Sequence, residues 1–415
     1  MRCWYSCRTK PAGRALADHP PAARIGPSRY GRRGVVAGLG LLAACGRAPD
    51  SSLGRATIDT LPTGIIQVAN DAPTGWSDSS SGWRVRLERQ IRGEPGTPSE
   101  LIDPRSIALD SQDRVWVSDR SPARIKVYGT DGGFIRTVGG EGEGPGEFRS
   151  GYLAPVSRGV VLHDPQLSRT TVYDTAGHLV KTFLSQCCYE VPIGSDSADR
   201  VVMPGLNDGR GNMVWLRYDL AGSILDSIKF VSQTGQPYWR VGNPKEMEMF
   251  VGVPFTPTLE MRPHPSGGML LGHSGTYQLS WIRSTGDTLF RFTRRWTPEP
   301  VTSEEKQRAI DEMIADFKPL DEATLRKAFR SEEIPSVKPA FEGLQVDLEG
   351  NTWVRRGGGR FDVFDRGGVW LGELMAPSEF DAPVAFFGRD RIVTAGEDSV
   401  GQPVVLVWRV ERGKP

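Results

Sequence analysis

A period of 45 residues constrains this chain more than any other feature of it. Asp119-x4-Arg124-x2-Val127-Tyr128-x3-Gly132 returns as Asp164-x4-Arg169-x2-Val172-Tyr173-x3-Gly177, displaced by 45 at every position. Tyr218-Asp219-x2-Gly222 repeats the end of the pattern at the same offset. Further copies lie out of phase. Asp347 to Val354 matches Asp110 to Val117, each carrying a tryptophan (Trp353, Trp116) six residues after the aspartate, and Tyr277 to Gly286 is another. A unit of this length cannot bury its apolar face alone, so the copies must stack.

Within one unit, short runs of strand-forming residues alternate with Gly, Asp or Asn turns: 106–109, 114–117, 124–128 and 134–138. Four strands per 40 to 50 residues is the blade of a β-propeller. Units near 104–139, 152–184, 191–230, 259–296, 340–374 and 381–410 give six blades. The fold class is therefore all-β, a six-bladed β-propeller over 83–415. The 49 Gly and 31 Pro of the 415 residues fit a turn-rich fold of this kind. The sixth unit has three strand-like runs and lacks a fourth. Residues 83–91, just ahead of blade one, supply a spare strand that would pair with the last blade and close the ring.

One insertion, about 298–337, breaks the strand rhythm. Thr302-x-x-Glu305 is a capping box, and Ile310, Met313, Ile314 and Phe317 share one helical face. A second short helix is expected from Glu322 to Arg330, burying Leu325, Ala328 and Phe329. Packing on the propeller is favoured over a lid across its mouth.

The net charge of +1 conceals an asymmetry. Residues 1–44 hold eight basic side chains and one acid, which leaves the remaining chain at about −6. The basic stretch ends in eleven uncharged, mostly apolar residues that run into Cys45. That run is too short to span a bilayer, for which about 20 residues are needed. It reads instead as the core of a signal peptide over 1–44. Leu42-Ala43-Ala44-Cys45 is similar to a bacterial lipobox, which implies lipidation of the Cys45 thiol and cleavage before it. An ordinary cleaved signal and, from Arg32-Arg33, a twin-arginine signal are the alternatives weighed. Residues 45–82 read as a lipidated polar tether, and Gly46 after the cysteine leans toward the outer membrane. Of five cysteines, Cys187 and Cys188 remain in the mature domain, so a disulfide framework is excluded. They could form a vicinal disulfide, or be two small residues at a strand end.

The segments 103–110, 114–119 and 124–132, with the Gly-Pro-Gly-Glu-Phe connection at 144–148, resemble the NHL-repeat class of six-bladed propellers, in particular bacterial propeller lipoproteins. The likeness is strongest in blades one and two. It implies the fold and an envelope location, not a reaction. Other six-bladed propellers are metal-dependent hydrolases and lyases or quinone-dependent sugar dehydrogenases.

Candidate functional residues are sparse. The repeated Asp119, Arg124, Asp164 and Arg169 are structural repeat positions: the carboxylates would accept turn N–H groups, and the arginines would pair with them or with a neighbouring blade. No catalytic residue and no metal ligand is assigned, and no cofactor is predicted. His163 and His273, at comparable strand ends, are the pair to examine for Ca or Zn; His178 and His264 sit in turns. The glycine-rich, acidic connection 139–146 lacks the strand-to-helix context of a phosphate loop. An acidic mature domain without a basic stripe disfavours nucleic acid. The expectation is an anchored scaffold for a protein, peptide or glycan partner at the propeller face. A lactonase- or esterase-like metal-dependent hydrolase or lyase with an axial site is the alternative.

Overall fold

The computed structural model describes residues 56–76, 82–186, 192–206, 213–229, 237–243, 247–316 and 321–413. The leader, Cys45, Phe317 and Cys187-Cys188 lie outside them. Six sheets surround one axis, over 104–138, 152–184, 194–229, 259–294, 343–375 and 384–411, close to the six units of the repeat. Each is an antiparallel meander whose first strand is innermost.

The turns explain the period. In the turn from the first to the second strand of blade one, Asp110 Oδ1 accepts the backbone N–H groups of Gln112 and Arg114, while Oδ2 accepts Nε1 of Trp116 at 2.9 Å. Asp347 treats Glu349, Asn351 and Trp353 in the same way in blade five. The tryptophans are fully buried, each contributing about 2–3 kcal/mol of apolar burial, and the aspartate satisfies the one polar atom that burial would orphan.

Between the third and fourth strands, Asp174 Oδ1 accepts from Ala176 and His178, and Gly177 takes φ +83°. Gly222, Gly286 and Gly368 occupy the same place with φ of +94°, +92° and +79°, where a side chain is strained. A register bulge follows this turn in each of the first five blades. The glycine also docks onto the preceding blade: a Cβ on Gly177 would lie 2.5 Å from Val138, and one on Gly222 2.6 Å from Phe183.

The strand Arg84–Ile91 closes the ring. It pairs antiparallel with Pro403–Glu411, from Arg84 opposite Glu411 to Ile91 opposite Val405, and so becomes the outer strand of blade six. The tether expectation for 45–82 is corrected over 56–76. Ala56–Thr60 (β1) and Ile66–Asn70 (β2) form a hairpin, and β2 adds parallel to the outer strand of blade four, Ile66 opposite Phe290 and Asn70 opposite Arg294. The polar composition of this stretch hid it, because its stability comes from an edge supplied by a distant blade. Asn70 then clasps two blades: its amide donates to Thr293 O and Gly368 O, and its Oδ1 accepts from Trp370 N.

Antiparallel blades put all second-to-third-strand turns and all inter-blade connections on one axial face, here the upper face. Two insertions rise from it. The sheet pair Tyr238–Asn243 and Met247–Gly252 follows blade three, and helices Ser303–Asp316 (α1) and Glu322–Ala328 (α2) follow blade four. They share one core of Trp239, Val241, Val251, Ile310, Met313, Leu325 and Phe329. The capping box forms, with Glu305 N donating to Thr302 Oγ1 at 3.2 Å and Thr302 N to Glu305 Oε2 at 2.9 Å. Lys338 beside Glu305 holds its carboxyl down to about 2. The helices thus pack on a hairpin that the repeat pattern did not disclose, and together they make a lobe.

Substituting Ala at two turn glycines separates strain from packing. Gly286→Ala meets nothing within 4 Å and should cost only the left-handed strain, about 1 kcal/mol; Gly177→Ala also collides with Val138 and should cost about 2–4 kcal/mol. Urea midpoints measured side by side check this, and equal shifts would contradict the inter-blade contact.

Candidate functional site

The inner strands of all six blades enclose an axial cavity of about 180 Å³, larger than an engineered apolar cavity that admits benzene. Its wall mixes apolar residues such as Ile107, Leu153 and Phe386 with polar ones such as Ser106, Ser195 and Gln345. It extends toward the lower face at Pro265 and Leu348. No described residue of the lobe lines it.

A charge pair and an indole stand out in that wall. Glu260 and Arg262, two apart on the inner strand Leu259–Pro263, share a side of the strand by its two-residue period and face each other at 3.3 Å. Their side chains are only 14% and 15% exposed, so the pair sits in a medium that strengthens charge interactions. Arg262 also donates to Met261 O, and Thr258 Oγ1 to Glu260 Oε1. Trp215, from the third strand of blade three, lines the same cavity with its buried Nε1 donor unpaired. An unpaired buried donor costs about 1–3 kcal/mol. The arrangement can hold a small molecule with an apolar body and both signs of charge.

The repeat residues lie elsewhere, at the upper face. Asp119 accepts from Ile102 N and Asp103 N, tying the connection that enters blade one to that blade's second strand; Asp164 accepts from Arg149 N, Gln166 N and Leu167 N in blade two. Neither arginine pairs with its aspartate. Lys126 meets Asp119 at 3.1 Å instead, both side chains buried, and Arg124 donates to Ala123 O. Arg169 reaches into the glycine-rich connection and donates to Glu143 O and Glu147 O. That loop is thereby a blade junction braced by a guanidinium.

The histidines do not assemble a site. His163 and His273 belong to blades two and four. Nδ1 of His163 lies 3.2 Å from both Thr170 Oγ1 and Ser185 Oγ, while its Nε2 is buried without a protein partner. Nδ1 of His273 accepts from Gly275 N. His264 stands where blades one and five carry the turn aspartate: its Nδ1 accepts from Ser266 N, and its ring lies 4.5 Å from that of Trp281. Exposed His178 meets Asp174. Among the described residues, no group of three or more His, Cys, Asp or Glu is placed to hold a metal.

A buried polar cluster joins blades four and five below the root of the helical insertion. The carboxylate of Asp362, fully buried, receives the Tyr277 hydroxyl and Arg294, with Arg356 Nε at 3.7 Å; Arg294 also lies 3.9 Å over the ring of Trp370. Burial pushes the Asp362 carboxyl up, against the pull of Arg294 first and then of Tyr277 and Arg356. Removing Arg294 would leave that charge with the Tyr277 hydroxyl and the more distant Arg356 alone.

The fold and site define the class, a six-bladed β-propeller with an axial cavity and an added lobe. No protein-family model matches the chain, and no curated protein sequence matches it. Among solved structures, a Bacteroides fragilis protein described as exported aligns at 10% identity and a TM-score of 0.47, over 83% of this chain and 99% of its own. A streptogramin B lyase aligns at 11% identity and 0.41, over 88% of this chain and 95% of its own, and a DUF4221 member from Bacteroides vulgatus at 9% and 0.41, over 80% and 100%. These likenesses assign no activity to this chain.

Burial pushes His163 and His264 each down to about 4. The unfolded chain takes up these protons near pH 6.5 and the folded chain resists them to about pH 4. Their stabilisation is therefore complete above about pH 6.5 and is lost as the pH falls toward 4. Between pH 7.5 and 4.5 the parent should lose about 2–3 kcal/mol more than His163→Leu, read from urea midpoints; identical pH dependence would show that the ring is not held neutral.

Proposed function

We propose that this protein is a binding propeller of the bacterial cell envelope, anchored by lipid on Cys45 and acting without catalysis, with the axial cavity as its ligand site. The observation that carries the reading is the Glu260–Arg262 pair in that cavity. An α-ammonium can share Glu260 and an α-carboxylate can share Arg262, with an apolar side chain against Phe386. The ligand class is thus an apolar amino acid or the terminus of a peptide or protein partner, and not a metal or a nucleic acid. Among the described residues, no helix is long and apolar enough to cross a membrane.

Thermal denaturation of the mature domain with L-leucine, L-phenylalanine and short apolar peptides should show stabilisation that benzoate and phenethylamine, each with one charge, do not give. Glu260→Gln and Arg262→Met should each weaken binding at least about tenfold, the value of one charged hydrogen bond. A flat response to the whole panel would overturn the site, and stoichiometric Ca or Zn retained through dialysis would overturn the non-catalytic reading. Separately, Cys45→Ser should abolish palmitate labelling in cells; persistent labelling would refute the anchor.

A further inference from the structure

The direction in which the chain enters the fold bears on how the propeller sits on a membrane. β2 runs parallel to the outer strand of blade four, which ends at the upper face at Arg294 and leads into the helical insertion. β1 runs antiparallel to β2, with Ala56 opposite Asn70, so Ala56 also stands at the upper end of that edge. There Arg295 N donates to Asn70 O, which fixes the start of the insertion beside the N-terminal hairpin. Only the ten residues 46–55 separate Cys45 from Ala56, a span of at most about 36 Å when fully extended. A lipid on Cys45 therefore draws the lobe-bearing face toward the bilayer, and the lower face away from it.

The lobe has a surface suited to that position. On the 238–252 hairpin, Trp239, Val241 and Val251 turn into the lobe core, and the opposite face presents Tyr238, Arg240 and Phe250. Tyr238 is 49% exposed, its ring packs edge-on against Phe250 at 4.9 Å, and the Arg240 guanidinium lies 5.8 Å from the centre of Phe250. No carboxylate among the described residues pairs with Arg240. Amphipathic aromatics beside a guanidinium suit the headgroup layer, where rings take an interface between apolar and wet and the cation meets phosphate. Glu248 lies on the same face opposite Gly242. The attraction is therefore to headgroup phosphates and through ring burial, rather than through net charge.

We propose that the lobe is the membrane-facing side of the anchored molecule, with Tyr238, Arg240 and Phe250 seated among lipid headgroups and the lower face, toward which the axial cavity extends, turned to the aqueous space. This orientation rests on the reading of Cys45 as the anchor. The test therefore supplies the anchor chemically, so that failure of lipidation in cells and failure of the orientation are told apart.

The mature chain, with Cys187 and Cys188 replaced by Ser, is coupled through Cys45 to a maleimide lipid in phosphatidylethanolamine–phosphatidylglycerol vesicles. Amide hydrogen exchange is compared with that of the same chain coupled to a soluble maleimide. Exchange over 238–252 should slow by about threefold or more on vesicles, with no change over 110–114, 264–268 and 347–351 on the lower face. The variant Tyr238→Ser/Arg240→Ser/Phe250→Ser should couple equally and lose the protection. Protection of the lower face, or protection nowhere, would overturn the proposal. No protection on protein-free vesicles combined with cross-linking from position 238 in cells would overturn it in favour of a protein partner.

Discussion

The rest of the molecule depends on the pairing of Arg84–Ile91 with Pro403–Glu411. Joining segments more than 300 residues apart costs loop-closure entropy, but that cost grows only with the logarithm of length and comes to about 5 kcal/mol. Against it stand a ladder of paired residues, the burial of Ile91 against Val405 and Val407, and the ion pairs of Glu88 with Arg391 and Arg409 at 2.9 and 3.4 Å. An open ring would expose the edge of blade six and leave the inner strands free to spread. The axial cavity exists only because six inner strands are held at a common radius, so closure is a condition of the site as well as of stability.

A second constraint is that the blades are not equivalent at their outer edges. Blade four is capped by β2, and the chain then crosses to blade five, where Thr74 N and Gly75 N donate to Trp370 O and Leu371 O before Arg84 begins the closing strand. One continuous segment thus binds blades four, five and six from outside. Blades one to three keep open edges, guarded by charged residues such as Arg136, Lys181 and Asp226 at strand positions where a foreign strand would pair. The belt ends beside the buried Asp362 cluster, whose arginines, tyrosine and tryptophan stiffen the junction from which the helical insertion rises.

The fold was legible in the sequence because each blade must solve the same local problems. An aspartate satisfies a turn and an indole, a glycine takes positive φ and docks on the neighbour, and both recur at fixed spacing. The six units and the closing strand could be read for that reason. The 56–70 hairpin could not, because nothing local marks it and its partner is more than 200 residues away. The 238–252 hairpin lies outside the repeat and packs on helices contributed by another blade junction. The cavity was equally hidden, since its wall is assembled from residues of all six blades, far apart in the chain. One signal was available. Glu260 and Arg262 interrupt an inner strand at alternate positions where the inner strand of blade one carries Ser106 and Ala108, and a charge pair in a strand that lines an axis needs a reason.

On the proposed lipid anchor at Cys45, the parallel sense of β2 would link the anchor to the proposed site. Had the hairpin added in the opposite sense, the segment leading to Cys45 would leave from the lower face, and a short tether would press the side toward which the cavity extends against the bilayer. With the observed sense, the segment leaves from the upper face beside the lobe, and the two ends of the propeller axis are free to differ. One end carries the enlarged connections and the aromatic hairpin; the other carries the tight first and third turns of the blades, such as those at Asp110, Asp174 and Asp347, whose backbone groups are satisfied by their own aspartates. Enlarged loops on one face and minimal turns on the other are what a ring requires if one face is to rest on a surface and the other is to admit a ligand.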